Sequence, residues 1–568
     1  MTRDDLLPRW TALTLALLLT AGCGGGGSSG GSAVPAPPPS SAPPPAPAPV
    51  QPTQAELEAA SKTAAQSTFG VEYDEIVGIA QTGPQAWLDA QFDLPPTYHL
   101  PLVDELLNNY DNGAYPEITE DVVMLILSKR LAWWHRTFTA PDLVRQRVAF
   151  ALSEIFVVAD STDVLNVYPA ALATYYDLLL EQAFGNYRDL LEGIVLHPAM
   201  GVFLSHVNNR KADPVANTFP DENFAREVMQ LFSIGLFELN ADGSLQLDGA
   251  GNPVPTYDNV DIREFAKIFT GLSYGGPAAA FGRTTPDFRN PMQMFDAFHE
   301  TGPKTLLNGQ TVPANQSGLQ DIAAAVDNLF NHPNVGPFLG RLLIQRLVTS
   351  NPSPAYIERV AATFNDNGTG VRGDLRAVIR AILLDPEAGA SGGEGKLREP
   401  IVRYTHMVRA FNPSSADGFL FNYGYYLQSV LRQHPLSSPS VFNFFSPEHR
   451  PAGAIADAGL AAPEFQITTA TTVVNMANVV DFAINGDFVT DAGEAFADVT
   501  LDFSEYEALG DDLDALLDRL DLVFTYGQLS DATRSAIISA TEGIPETAQR
   551  ARNAIYLLLI SPDYAVRR

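Results

Sequence analysis

The chain has 568 residues, 46% of them hydrophobic, which is ample material for a large core. Its 66 acidic against 35 basic residues give a formal net charge of −31. That balance argues against non-specific nucleic-acid binding, which needs Lys and Arg to neutralise phosphates, and against docking on an anionic membrane face. A single cysteine excludes disulfides within the chain and haem attachment through a Cys pair.

Residues 10–22, WTALTLALLLTAG, form a short apolar run behind Arg3 and Arg9 and end in small residues before Cys23. That is the layout of a signal peptide. Leu19-Thr20-Ala21-Gly22-Cys23 looks like a bacterial lipobox, in which the cysteine becomes the lipid-bearing first residue of the mature chain. The expectation is a lipoprotein signal peptide at 1–22, lipidation at Cys23, and an exported envelope protein, outer-membrane or periplasm-facing. Residues 23–54 are a Gly/Ser run followed by Pro/Ala repeats, and read as a disordered tether. At about 3.1 Å per residue it would reach several tens of Å. No other run has the length of a spanning helix, so the membrane would be met through lipid alone.

From residue 55 to 568 helical periodicity dominates, and the fold class expected is mainly α: a large multi-helix globular body with long embedded loops. Helices are expected at Ala55–Ser67, Tyr73–Gln81, Pro84–Phe92, Leu102–Asn109, Thr119–Phe138, Pro141–Ala159, Val167–Ala183, Asp189–His197 and Met200–Val207. Pro220–Asn240, PDENFAREVMQLFSIGLFELN, reads as one two-sided helix around which the body is organised, with Thr218 as its cap. Asn240–Tyr257 carries Asp-Gly and alternating leucines and reads as one small β-hairpin. Val260–Leu272 returns to helix, and Ser273–Pro313 is irregular. Further helices follow at Ser317–Phe330, Val335–Val348, Pro354–Phe364, Leu375–Leu384, Leu397–Phe411 and Thr468–Ile484. An acidic insert at about 485–512 and helices to Leu559 end the chain.

Several long stretches, in order, resemble one bacterial family, the "domain of unknown function 1800" family. They include Trp133–Val158 (WWHRTFTAPDLVRQRVAFALSEIFVV), Ala183–Lys211, Pro220–Asn240, Thr256–Leu272 and His332–Val360. Val371–Ala388, Gly395–Arg403 (GKLREPIVR), Pro439–Gly453 (PSVFNFFSPEHRPAG) and the terminal SPDYAVRR complete the set. The resemblance spans about Ser61 to the end and implies an exported, helix-rich bacterial protein, often encoded beside sulfatase-like exported proteins. It carries over no activity and no catalytic residue.

The motifs of common chemistries fail on spacing. His299-Glu300 lacks the second histidine of a zinc helix, and Gly389–Lys396 misses two positions of a phosphate loop. Gly271-Leu272-Ser273-Tyr274-Gly275 has the letters of a nucleophile elbow but follows a helical pattern, so Ser273 reads as a helix end. Cofactors are therefore unassigned, and metal is confined to a weak His197/His206 pair. Candidate catalytic groups are Asp221, Glu222, Arg226 and Glu227, which supply paired carboxylates and a cation. Candidate binding groups are Asn223, Gln230, Trp133 and Trp134, with the aromatic loop Phe442–Pro447 able to stack on sugar faces. The leading reading is an envelope lipoprotein that binds or assists a sulfatase-like protein or a glycan. The alternative is a carboxylate- or metal-dependent hydrolase acting on an envelope or extracellular glycan.

Overall fold

Thr53 starts the body by a local code: its side chain accepts the Glu56 N–H, while the Glu56 carboxylate accepts the Thr53 N–H at 2.7 Å, and helix runs from Gln54 to Ser67. The same reciprocal box opens Asn259–Ile268 from Asp258 and Gly318–Phe330 from Ser317. In the computed structural model, residues 51–390, 395–421, 425–486 and 495–568 are described. The expected signal peptide, Cys23 and nearly all of the tether lie outside the described residues, as does 487–494 of the acidic insert. Among the described residues, 26 α-helices stand against three two-stranded ladders of two residues each, so the fold is mainly α.

The core is built around Leu143–Ser153, LVRQRVAFALS, in which every residue from Leu143 to Leu152 is buried. This displaces the sequence-based centre at Pro220–Asn240. Periodicity places a helix here but not at the centre, because its three polar residues mimic a wet face, whereas all three hydrogen-bond inside. Arg145 donates to the carbonyls of Leu180 (2.9 Å) and Leu94 (3.0 Å), and Arg147 donates to that of Arg346 at 2.7 Å. Trp133, Phe150 and Phe69 pack edge-on and tilted around it.

The expected 220–240 helix is confined to Asn223–Gln230. Glu222, rather than Thr218, stands at its N-terminus, and the Asp221 carboxylate accepts the Asn223 N–H at 2.8 Å. After Gln230 the chain tightens into turns and leaves at Gly235, whose φ of 74° suits glycine; a Cβ there would lie 2.9 Å from the Phe338 ring. The expected hairpin is a three-way ribbon, in which Phe237 bridges Pro255, Leu239 bridges Leu245 and Leu247 bridges Pro253.

Helix 397–411 also starts later than expected, at Pro400, because Lys396-Leu397 pairs antiparallel with Val566-Arg567 near the chain end. The described part of the acidic insert is integrated into the core: Phe496 packs on Phe421 and Tyr115, and Phe503 on Phe411.

Candidate ligand-binding site

A cavity of about 600 Å³ opens where the end of Leu143–Ser153, the segment after Gln230, the Val335–Leu347 helix and the loop around Asn443 meet. Helical spacing on Val335–Leu347 turns Phe338, Arg341, Leu342 and Arg346 toward it. Gly235 lets the chain cross the Phe338 ring and bring Leu236 and Phe237 to the mouth. Leu236 is 48% exposed there and Phe442 is 56% exposed. Such exposure of large apolar side chains around a concave site is the usual face of a binding pocket.

The floor is polar. Asn443 sits in the left-handed region, with φ 63°, which turns its amide inward to donate to Glu154 Oε1 at 3.2 Å. Arg346 lies over the Phe445 ring at 4.6 Å, its Nε 3.8 Å from Glu154 Oε2. Behind Glu154 stands Glu399, whose Oε2 accepts from Gln433 at 2.7 Å. Glu154 Oε2 and Glu399 Oε1 are buried and have no other hydrogen-bond partner among the described residues.

These two carboxyls interact through one shared proton, which Glu154 keeps and Glu399 accepts. Burial, reinforced by the Glu399 charge, pushes Glu154 up to about 8 against the pull of Arg346 and Arg147. Burial would raise Glu399 as well, but the charges of Lys396, Arg147 and Arg346 and the hydrogen bond from Glu154 hold it below the usual carboxylate range. Glu154 is therefore the neutral member at pH 7. A carboxyl raised in the folded state binds more protons folded than unfolded, so stability falls as pH climbs from the ordinary 4.5 toward about 8. Glu154→Gln, a neutral isostere, is expected to match the natural chain at pH 4.5 and to exceed its stability at pH 8.5 by at least about 1.4 kcal/mol, one pKa unit's worth. Urea unfolding at the two pH values checks this; an equal difference at both would refute the shared proton.

The sequence-based candidates do not gather in one place. Gln230 lines the cavity, its Oε1 accepting from Tyr257 at 3.2 Å. Glu222 and Arg226 form an exposed pair at 3.6 Å, and Glu227 is buried with its carboxyl raised by burial. No side-chain hydrogen bond links Asn223, Glu227 and Gln230 among the described residues. Trp133 and Trp134 are fully buried, and Trp134 donates to His434 at 3.2 Å, so neither offers a ring face to a ligand. His197 accepts the Ala199 N–H, and it borders a second cavity of about 580 Å³ whose Asp177 already accepts the His99 and Leu100 N–H groups. His206 stacks on Phe224 at 3.9 Å and bonds the Val195 carbonyl. Burial lowers His197 to about 3 and His206 to about 4. No cluster of three or more metal-ligating side chains occurs among the described residues. Ser273 is buried and donates to Asn208 at 2.6 Å. Cys23 lies outside the described residues.

Glu154, Arg346, Glu399 and Asn443 escape sequence reasoning because nothing local distinguishes them. They do fall in four stretches that carry the family resemblance, Trp133–Val158, His332–Val360, Gly395–Arg403 and Pro439–Gly453. Convergence of those stretches is the signal that marks them.

Fold and site together define a helical protein with a partly apolar cavity set over a buried charge network. The model of the family described as "protein of unknown function (DUF1800)" matches residues 62–566, and the chain belongs to that family. No curated protein and no solved structure matches it.

Proposed function

We propose that this protein is a lipid-anchored binding protein of the cell envelope that holds its ligand in the cavity over Glu154 and Arg346. The observation that carries the reading is the combination of apolar walls with a floor of inward-turned, incompletely paired polar groups. The anchor rests on the lipobox-like sequence ending at Cys23 and on the tether after it; no helix among the described residues is long and apolar enough to cross a membrane. A sulfatase-like exported protein, which the family resemblance suggests, or a glycan, which the aromatic residues suggest, is the partner such a carrier would serve.

The hydrolase alternative has less behind it. Asp221 accepts the Asn223 N–H and Glu222 pairs with Arg226, while buried Glu227 has an Oε2 without a hydrogen-bond partner, and no cluster of three metal-ligating groups gathers there among the described residues. A hydrolase in this fold would draw its acid from Glu154 instead.

Two variants test the binding reading. Leu342→Trp should fill the cavity, and extraction of the purified protein should then recover at least tenfold less bound small molecule than from the natural chain. Phe442→Ala should weaken ligand retention by about 1–2 kcal/mol, roughly tenfold, without lowering the melting temperature, because the ring is largely exposed. Equal recovery from all three proteins would overturn the reading. Cys23→Ser should release the protein from the membrane fraction.

A further inference from the structure

We propose that the ligand of this cavity is an amphipathic anion, an apolar body against Leu236, Phe338 and Phe442 with an oxyanion head seated on Arg346. The inference rests on the cavity being the binding site.

Three cations, Arg346, Arg147 and Lys396, act on the buried carboxyl pair. Against them stand Glu399 and Glu464, the latter paired to Lys396, while Glu154 carries its proton. With buried Arg567, which acts on Arg147 and Glu464 as well, these groups carry more positive than negative charge, in a chain whose net charge is −31. Buried charge without a counter-charge is costly, so this surplus calls for an anion.

Geometry says where the anion sits. Arg147 lies behind, its guanidinium between the Phe69 and Phe150 rings at 5.9 and 5.5 Å, and lines no part of the cavity. Arg346 does line it. Its guanidinium makes no hydrogen bond among the described residues; it stacks on Phe445 and approaches Glu154 only at 3.8 Å. A guanidinium held flat on a ring with its N–H edges open is arranged to receive the oxygens of a carboxylate, sulfate or phosphate in bidentate fashion. Above it Leu231, Leu236, Phe237, Phe338, Leu342 and Phe442 supply a continuous apolar share of the wall, which suits an alkyl or aryl body. At the rim Arg341 pairs with Glu448 at 2.5 Å, and Arg450 adds a further cation beside them. An anion therefore meets a positive opening on an otherwise acidic molecule.

Glu154 adds a switch to this arrangement. The charged and polar groups facing it are Glu399, Arg346, Arg147, the Tyr176 phenol and the Asn443 amide. Ionisation of Glu154 reduces the surplus positive charge and places a carboxylate beside the anion's seat. Anion affinity should then fall as pH rises through about 8, approaching tenfold per unit.

The test uses the full mature chain carrying Cys23→Ser, with decanoate, decyl sulfate and decyl phosphate below their micellar concentrations. Decanol and decyltrimethylammonium serve as the neutral and cationic controls, and binding is read by titration calorimetry. At least one anion should bind ten or more times tighter than decanol, and the ranking of the three anions identifies the head group. Arg346→Met should remove that advantage. Because Arg346→Met could also disturb packing on Phe445, the second reading is pH: the natural chain should lose about tenfold in anion affinity between pH 7 and 9, and Glu154→Gln should lose none. If decanol or the cation binds as tightly as the anions, the inference fails while the cavity remains a binding site. If no amphiphile binds and Leu342→Trp makes no difference, the binding reading itself falls.

Discussion

Asp321→Ala is expected to lower the stability of the folded chain by about 3–5 kcal/mol, the usual cost of removing one partner from a buried ion pair. Asp321 is wholly buried near the start of the Gly318–Phe330 helix, and its carboxylate pairs with the Lys304 ammonium. His299 Nε2 lies 3.0 Å from the same oxygen, and Gln316 donates to the other at 3.0 Å. Lys304 is itself buried, so alanine at 321 strands a cation away from water. Burial alone would raise the Asp321 carboxyl, but hydrogen bonds from Lys304, Gln316 and His299 outweigh it and hold the group below its ordinary 3.8. The sign follows directly. Below pH 3.8 the unfolded chain binds more protons at this position than the folded one, so the stabilisation is complete above that pH and disappears as the solution becomes more acid. Asp321→Asn keeps the shape and loses the charge, and should fall between alanine and the natural residue. Chemical unfolding at pH 7 checks the series; a loss below about 1 kcal/mol for Asp321→Ala would mean that Lys304 finds water or another partner.

Arg567→Ala, one residue from the chain end, is expected to cost about 3 kcal/mol or more, although terminal residues usually tolerate change. The Arg567 guanidinium is buried and donates to three main-chain carbonyls, of Ala65 at 3.0 Å, Val348 at 2.6 Å and Leu347. It thereby ties the end of Gln54–Ser67 and the end of Val335–Leu347 to the strand it forms with Lys396. Each carbonyl left unpaired costs about 1–3 kcal/mol, reduced where the ends can relax toward water. Arg567→Lys keeps a charge but cannot span three carbonyls, so it should recover less than half of the loss. Hydrogen exchange offers the sharper reading: protection should drop in the last turns of both helices at once. Loss confined to residues 396–397 would show that the arginine holds only its own strand.

The two buried cations illustrate what the sequence could and could not convey. Nothing in KTLLNG around Lys304 or YAVRR around Arg567 separates a buried, paired cation from a solvated one, because the partners lie elsewhere in the chain. The site has the same character. The amphipathic pattern at Asn223–Gln230 is local, and its last residue, Gln230, borders the cavity. Beyond Gln230 the pattern continues although the helix does not, since Gly235 and the Phe338 ring redirect the chain. Glu154 and Asn443 are 289 residues apart and meet only after folding.

The amino-acid sequence by itself determined the helical class, most helix positions and the family, because 3.6-residue periodicity, caps and ordered motifs are properties of neighbouring residues. Only the tertiary structure decided which helix is central, which charges are buried and where the cavity lies. Burial and electrostatic pairing depend on groups distant in the chain, and a polar residue such as Arg147 or Glu154 looks the same in one dimension whether it faces water or the core.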